Sequence, residues 1–215
     1  MYSSSGVVDY INYWKPYLVE FDASASFWPS LGDTVFDCGA CIGENSILFA
    51  SLVGASGSVN AFDPTPIHQD VLQFQISLNR HLGINLTVEP VPYAVGANTK
   101  DVMVDMPSNE MTSINPGPIA LNKFKMVSLD DYSTANAVIP SYIKMDIEGF
   151  EIDALVGAAR TISTNRPRLA ISGYHKLEHL WEIPSLIKKL SDKYRIYLAH
   201  HSPTTWETVF YATST

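Results

Sequence analysis

The chain has 215 residues, of which 46% are hydrophobic, enough for a buried core and most simply one domain. A net charge of −8 argues against extensive binding to a phosphate backbone, so nucleic acid is not expected as a partner. No apolar run reaches the ~18 residues of a membrane span, no signal-peptide pattern stands at the N-terminus, and two cysteines cannot build a disulfide framework. A cytoplasmic location is expected from these features.

Residues 1–30 carry Val7, Val8, Tyr10, Ile11, Tyr13, Trp14, Tyr17, Leu18 and Phe21. The pattern predicts an aromatic-rich helical segment that covers the sheet or walls an acceptor site. Residues 31–215 then form the main domain. Thr34, Val35 and Phe36 read as a short buried strand, and Asp37 ends it. Gly39 and Gly43 bracket a tight turn, and Ile47, Leu48 and Ala50 open an amphipathic helix that Gly54 stops. Strand, glycine turn and helix N-terminus together aim at a nucleotide-like ligand. An acid at Asp37 would repel a pyrophosphate, but it suits a cation such as the ammonium of S-adenosylmethionine.

Ser58 to Phe62 reads as a second strand, closed by Asp63-Pro64, and 66–82 as a helix. A strand over about 86–91 leads to Pro92-Tyr93-Ala94-Val95-Gly96. Residues 97–126 read as irregular, with one strand at 101–105 and a turn-rich stretch from Pro107 to Pro118; an insertion this long is often a functional loop. Tyr142–Ile147 and Arg168–Ser172 read as strands, 149–164 and 176–191 as helices. Tyr194–Ala199 and Thr208–Ala212 read as two final antiparallel strands. Repeated βα units demand a largely parallel sheet with helices on both faces, an α/β Rossmann-like fold.

Three places carry chemistry. Asp63 follows Gly39 by 24 residues, where a carboxylate reaches the ribose hydroxyls of an adenosyl ligand. Lys144-Met145-Asp146-Ile147-Glu148-Gly149 puts carboxylates at Asp146 and Glu148 on one side of a strand, at the sheet edge where such folds bind ligands. They suit a divalent metal, a general base, or a hydrogen bond to a ligand amino group, and Lys144 precedes them. His175, just after the next strand, suits a base for a hydroxyl acceptor, or else a structural hydrogen bond. His200 and His201 read as structural. Cys38 and Cys41 have redox C-x-x-C spacing, but read better as a small buried residue and a turn residue.

The chain resembles the FkbM-type S-adenosylmethionine-dependent methyltransferases. The resemblance spans about 32–212. It rests on Asp-Cys-Gly-Ala-Cys-Ile-Gly at 37–43, Ala-Phe-Asp-Pro-Thr-Pro at 61–66, Asn79, Ala94-Val95-Gly96, Ser-Leu-Asp-Asp-Tyr at 128–132, Ile143 to Glu151, and Glu207 to Ala212. The family usually has Asn at Cys41 and often Glu at Asp63. The resemblance implies a seven-stranded sheet whose last strand is antiparallel. It also implies methyl transfer to a hydroxyl of a small molecule or sugar; whether the chain is a monomer or a homodimer is left open. The implied cofactor contacts are Asp37, Gly39, Ala40, Cys41, Gly43, Asn45, Asp63, Pro64, Ala94, Val95 and Asp146. The catalytic candidates are His175, Asp146, Glu148 and Lys144. Some related O-methyltransferases hold magnesium at the acid matching Asp146; a metal-independent route is favoured here. The competing readings are an NAD-type oxidoreductase, which expects a third glycine where Asn45 and Ser46 stand, and an inactive S-adenosylmethionine-binding domain.

Overall fold

A computed structural model describes residues 17–21, 26–81, 86–106 and 120–214. Its elements in chain order are β1 (Val19–Glu20), β2 (Ser26–Phe27), β3 (Thr34–Cys38), α1 (Glu44–Val53), β4 (Ser58–Phe62), α2 (Pro66–His81), β5 (Val88–Val91), β6 (Ala94–Val95), β7 (Lys100–Met106), β8 (Ala120–Val127), α3 (Leu129–Asn136), β9 (Tyr142–Met145), α4 (Glu151–Gly157), α5 (Ala159–Asn165), β10 (Arg168–Ser172), α6 (His179–Leu190), β11 (Tyr194–His200) and β12 (Thr208–Ser214).

β3, β4, β9 and β10 are buried at nearly every position, as strands covered on both faces must be. They form the centre of a seven-stranded sheet ordered β11-β12-β10-β9-β3-β4-β5. β12 runs antiparallel to both its neighbours, and the other pairings are parallel. The expected doubly covered, mostly parallel sheet therefore holds. Alternate strand residues feed two cores. Phe36, Phe62, Ile143 and Met145 pack with Leu155, Ile162 and Ile183 on one face. Val35, Val59 and Tyr142 pack with Phe49, Leu72 and Tyr211 on the other. Among the described residues no helix is long and apolar enough to cross a membrane.

Several boundaries differ from expectation. In the 1–30 segment, residues 1–16 and 22–25 lie outside the described residues. The described part is extended rather than helical, with β1 and β2 paired antiparallel. It does pack on the sheet: Phe21 stacks on Tyr197 at 4.8 Å and Phe27 meets Tyr211 at 5.2 Å. The stretch read as irregular over 97–126 contains a second long strand. β7 and β8 pair antiparallel, and β6 adds a third strand; 107–119 lie outside the described residues. α3 was also not foreseen, although Ser128 caps it by accepting the Asp131 N–H at 3.1 Å. The helix read over 149–164 is two helices that break at Ala158 (φ −110°, ψ 10°). A Cβ on Gly157 would stand 2.1 Å from the Gly96 carbonyl oxygen, so the chain passes too close there for any other residue.

Candidate active site

The turn after β3 sits against two strand ends. Gly39 has φ 78°, and a Cβ on it would fall 1.8 Å from the Asp146 carbonyl oxygen. Only glycine allows the turn to lie against the end of β9. The Gly39 and Ala40 N–H groups both donate to Phe62 O at the end of β4, at 2.9 and 3.0 Å. Cys41, itself at φ 49°, donates its N–H to Asp63 Oδ2 at 3.0 Å. Gly43, at φ 96°, fits against Leu72 of α2. The turn's amides are thus committed to the end of β4 and do not point outward as a phosphate cradle.

Asp37 is not at the ligand surface. It is fully buried and is the register partner of Lys144 on β9. The Lys144 ammonium lies 3.1 Å from Asp37 Oδ1 and donates to Gly39 O at 2.7 Å, while Ser46 Oγ donates to Asp37 Oδ2 at 2.6 Å. Burial pulls the Lys144 ammonium down, but Asp37 and Asp146 outweigh it and hold it above its ordinary value. The expectation that Asp37 meets a ligand ammonium fails, because an internal cation from the neighbouring strand already occupies the carboxylate. Lys144 is likewise 2% exposed and braces the glycine turn from behind.

At the carboxyl edge of the sheet lies a cavity of about 240 Å³, bounded by Gly39, Cys41, Asp63, Pro64, Ala94, Val95, Asp146 and Glu148. Of the rest of its wall the sequence reading names only the 97–126 stretch, as a functional loop. Thr65 precedes α2 and His68 lies in its first turn, Tyr93 precedes β6, Val102, Phe124 and Met126 come from the β7–β8 pair, and Ile147 and Phe150 follow β9. The alternation Lys123-Phe124-Lys125-Met126 was the available signal for the hairpin wall. Asp63 accepts from Thr65 N at 2.9 Å and faces His68 Nδ1 at 3.1 Å. Of the other expected contacts, Ala40 and Gly43 are buried in the turn, and Asn45 is half-buried in the first turn of α1; none of the three bounds the cavity.

Beyond the cavity a polar cluster surrounds Asp146. β9 ends at Met145, so Asp146 and Glu148 lie past the strand, and not along its face as the sequence spacing implied. Asp146 accepts the Tyr17 hydroxyl at 3.0 Å and the Tyr174 hydroxyl at 2.8 Å. Burial, then the charges of Asp146 and Glu207, push the Tyr174 phenol far up, so it stays a donor. His175 Nε2 lies 3.4 Å from Asp146 Oδ1 and 3.5 Å from Glu148 Oε2, and its Nδ1 lies 2.9 Å from Glu151 Oε1. Glu151 is fully buried and was not singled out from the sequence. His175 therefore stands behind Asp146 and Glu148, not on the cavity wall itself.

Asp146, Glu151 and His175 offer one ligand atom each within 4.8 Å, yet they fit magnesium poorly. That ion prefers oxygen donors and keeps several waters. Here one donor is an imidazole, one carboxylate is sealed from solvent, and the other already accepts two phenols.

The two cysteines are not arranged for redox work. Cys38 is buried on β3 and Cys41 lines the cavity. Desolvation raises both thiols, Cys41 to about 11, whereas a reactive thiolate needs a lowered value. His200 bonds Thr208, and His201 bonds the Tyr211 hydroxyl at 2.8 Å; both ties hold the β11–β12 hairpin.

A model of the methyltransferase FkbM domain matches residues 37–201. No curated protein matches the sequence. The crystal structure of methyltransferase FkbM from Methylobacillus flagellatus KT is 29% identical, with a TM-score of 0.71 over 94% of this chain and 49% of that one. The present chain thus spans about half the length of that relative. Two more distant structures share the fold. Fibrillarin from Aeropyrum pernix, solved with natively bound S-adenosyl-L-methionine, is 10% identical with a TM-score of 0.53, covering 86% of this chain and 67% of that one. An S-adenosylmethionine-dependent O-methyltransferase from Thermotoga maritima is 11% identical with a TM-score of 0.50, covering 86% and 61%.

Proposed function

The chain belongs to the FkbM methyltransferase family, and on that premise we propose that it transfers a methyl group from S-adenosylmethionine to a hydroxyl of a small molecule or sugar. The observation that carries this reading is the cavity bounded by the glycine turn, Asp63 and Asp146 at the carboxyl edge of the sheet. Asp63 Oδ2 accepts the Cys41 N–H, and Oδ1 accepts the Thr65 N–H and faces His68 Nδ1, which fixes the carboxylate. Oδ2 keeps a further lone-pair site for a ribose hydroxyl. Gly39, Cys41, Pro64, Ala94 and Val95 line the adenosine and methionine path. Lys144 and Asp37 hold the turn in place from beneath and do not touch the ligand.

Bound S-adenosylmethionine supplies a methyl already activated on a sulfonium. The protein must place an oxygen about 3–3.5 Å from that carbon and in line with the S–C bond. Asp146, fixed by Tyr17 and Tyr174, orients the acceptor hydroxyl. Asp146, which bounds the cavity, is placed to take the hydroxyl proton as the O–C bond forms and the S–C bond breaks, with His175 Nε2 behind it at 3.4 Å from Oδ1. Phe124, Met126 and Phe150 limit water at the site, which protects the methyl from hydrolysis. The committed amides of Gly39, Ala40 and Cys41 weigh against a dinucleotide, whose pyrophosphate would need them. Nucleic acid and membrane partners are not part of this reading.

Calorimetry with S-adenosylhomocysteine tests the binding step. Wild type should bind, and Asp63→Ala should lose at least about tenfold in affinity, or ~1.4 kcal/mol. A panel of sugars and phenols then tests transfer. Tight NADH binding without S-adenosylhomocysteine binding would refute the reading, and binding with no transfer to any hydroxyl would favour an inactive binding domain.

A further inference from the structure

A ribose brings two hydroxyls to the cavity, and Asp63 has room for one. We infer that His68 is a second ligand-binding side chain of the cofactor site, whose Nε2 meets the ribose hydroxyl that Asp63 leaves over. This deepens the proposed function and rests on its placing of Asp63 against the ribose of S-adenosylmethionine.

The lone pairs of Asp63 can be counted. An ionised carboxylate offers about four acceptor sites and no donor. Oδ2 accepts the Cys41 N–H at 3.0 Å, while Oδ1 takes the Thr65 N–H at 2.9 Å and His68 Nδ1 at 3.1 Å. Three sites are therefore in use, and the one that remains is on Oδ2. The two hydroxyls of a ribose sit on adjacent carbons, so both reach this end of the cavity together. A hydroxyl that gives up its water there without gaining an acceptor costs binding free energy. The second acceptor has to come from a side chain beside Asp63 that also lines the cavity.

His68 meets both conditions. It lies in the first turn of α2 and lines the cavity. That turn is pinned in place. The Gln69 side-chain amide donates to Asp63 O at 2.7 Å and to Val91 O at 3.3 Å, and the Gln69 N–H donates to Thr65 O at 3.1 Å. Because the Asp63 carboxylate only accepts, Nδ1 carries the proton in its contact with Oδ1. The neutral ring then has its lone pair on Nε2, since the bond made by one ring nitrogen sets the state of the other. Among the described residues Nε2 has no hydrogen-bond partner, and it is not one of the polar atoms sealed from solvent. It is open to a ligand in the cavity that His68 lines. A histidine that only steadied Asp63 would use Nδ1 and leave Nε2 without a task.

Calorimetry of the full chain with S-adenosylhomocysteine and its 2′-deoxy and 3′-deoxy analogues tests this without knowledge of the acceptor. His68→Leu removes both ring nitrogens. His68→Asn keeps an N–H donor near the place of Nδ1 and removes Nε2. Both variants should bind S-adenosylhomocysteine about tenfold more weakly than wild type, the size of one lost hydrogen bond. Toward one of the two deoxy analogues that difference should shrink to less than about twofold, because the hydroxyl that Nε2 meets is gone. Wild-type affinity in His68→Leu overturns the inference. So does wild-type affinity in His68→Asn alone, which would leave His68 as a brace for Asp63. A loss of equal size for all three ligands overturns it too. If one variant does not fold, the other decides, measured against the same analogues. Failure of the underlying reading looks different. Full affinity in Asp63→Ala, or no binding by the wild type, would remove the ribose placement itself. Lost affinity in Asp63→Ala with unaffected His68 variants would strike only the role of His68.

Discussion

Replacing Lys144 with methionine keeps the length and volume of a side chain that is 2% exposed, but removes its charge. Three consequences follow from the geometry. Asp37, fully buried, loses the ammonium 3.1 Å from its Oδ1 and keeps, among the described residues, the Ser46 hydroxyl. The Gly39 carbonyl loses a 2.7 Å donor. The glycine turn loses its brace to β9. Breaking a buried ion pair from one side costs about 3–5 kcal/mol, because the remaining charge is left uncompensated. For a chain of this size each kcal/mol shifts Tm by about 2–4 °C, so Lys144→Met should melt about 6–20 °C lower. The double variant Asp37→Leu/Lys144→Met removes both charges and should recover most of that loss. Urea denaturation and thermal melts followed by circular dichroism measure both variants. A single variant within about 1 kcal/mol of wild type would refute the argument, since that is the range of exposed pairs. So would a double variant no more stable than the single one.

Gly39→Ala should fail for a different reason. Its Cβ would meet the Asp146 carbonyl oxygen at 1.8 Å, and the positive φ alone strains an alanine by about 1–3 kcal/mol. The turn must move off β9, so S-adenosylhomocysteine binding should be lost in calorimetry even where the protein still folds; wild-type affinity would show that the turn is dispensable. Cys41→Ser should keep methyl transfer within about tenfold, a barrier change of ~1.4 kcal/mol, because its raised thiol is not a nucleophile. Disulfide reductase activity in the wild type that vanishes in this variant would contradict that.

What could be read from the sequence was local. Thr34–Phe36, the two turn glycines and the 3.6-residue stripe after them announce a strand–turn–helix unit within about twenty residues. Asp63 at the end of the next strand follows by chain length alone. Repetition of such units dictates a parallel sheet, because crossovers that return a strand beside its neighbour need helices on the faces. The Lys-x-Asp-x-Glu-Gly block placed Asp146 and Glu148 at the edge where ligands bind.

What could not be read depends on register and on packing between distant segments. Lys144 and Asp37 are 107 positions apart, and they meet only because β9 and β3 pair with those residues opposite each other. That pairing turned an expected ligand contact into an internal ion pair. Glu151 reads as an ordinary acid in the first turn of a helix. It is buried only because the 146–151 loop curls and α6 brings His179 over it. Gly157 ends α4, and its sequence context does not show that Gly96 passes so close that a Cβ would stand 2.1 Å from its carbonyl oxygen. Propensity and periodicity describe a segment against water. Whether a charged side chain meets solvent, a ligand or another charge is set by neighbours that only the assembled sheet brings together, and in its dry interior that choice is worth several kcal/mol.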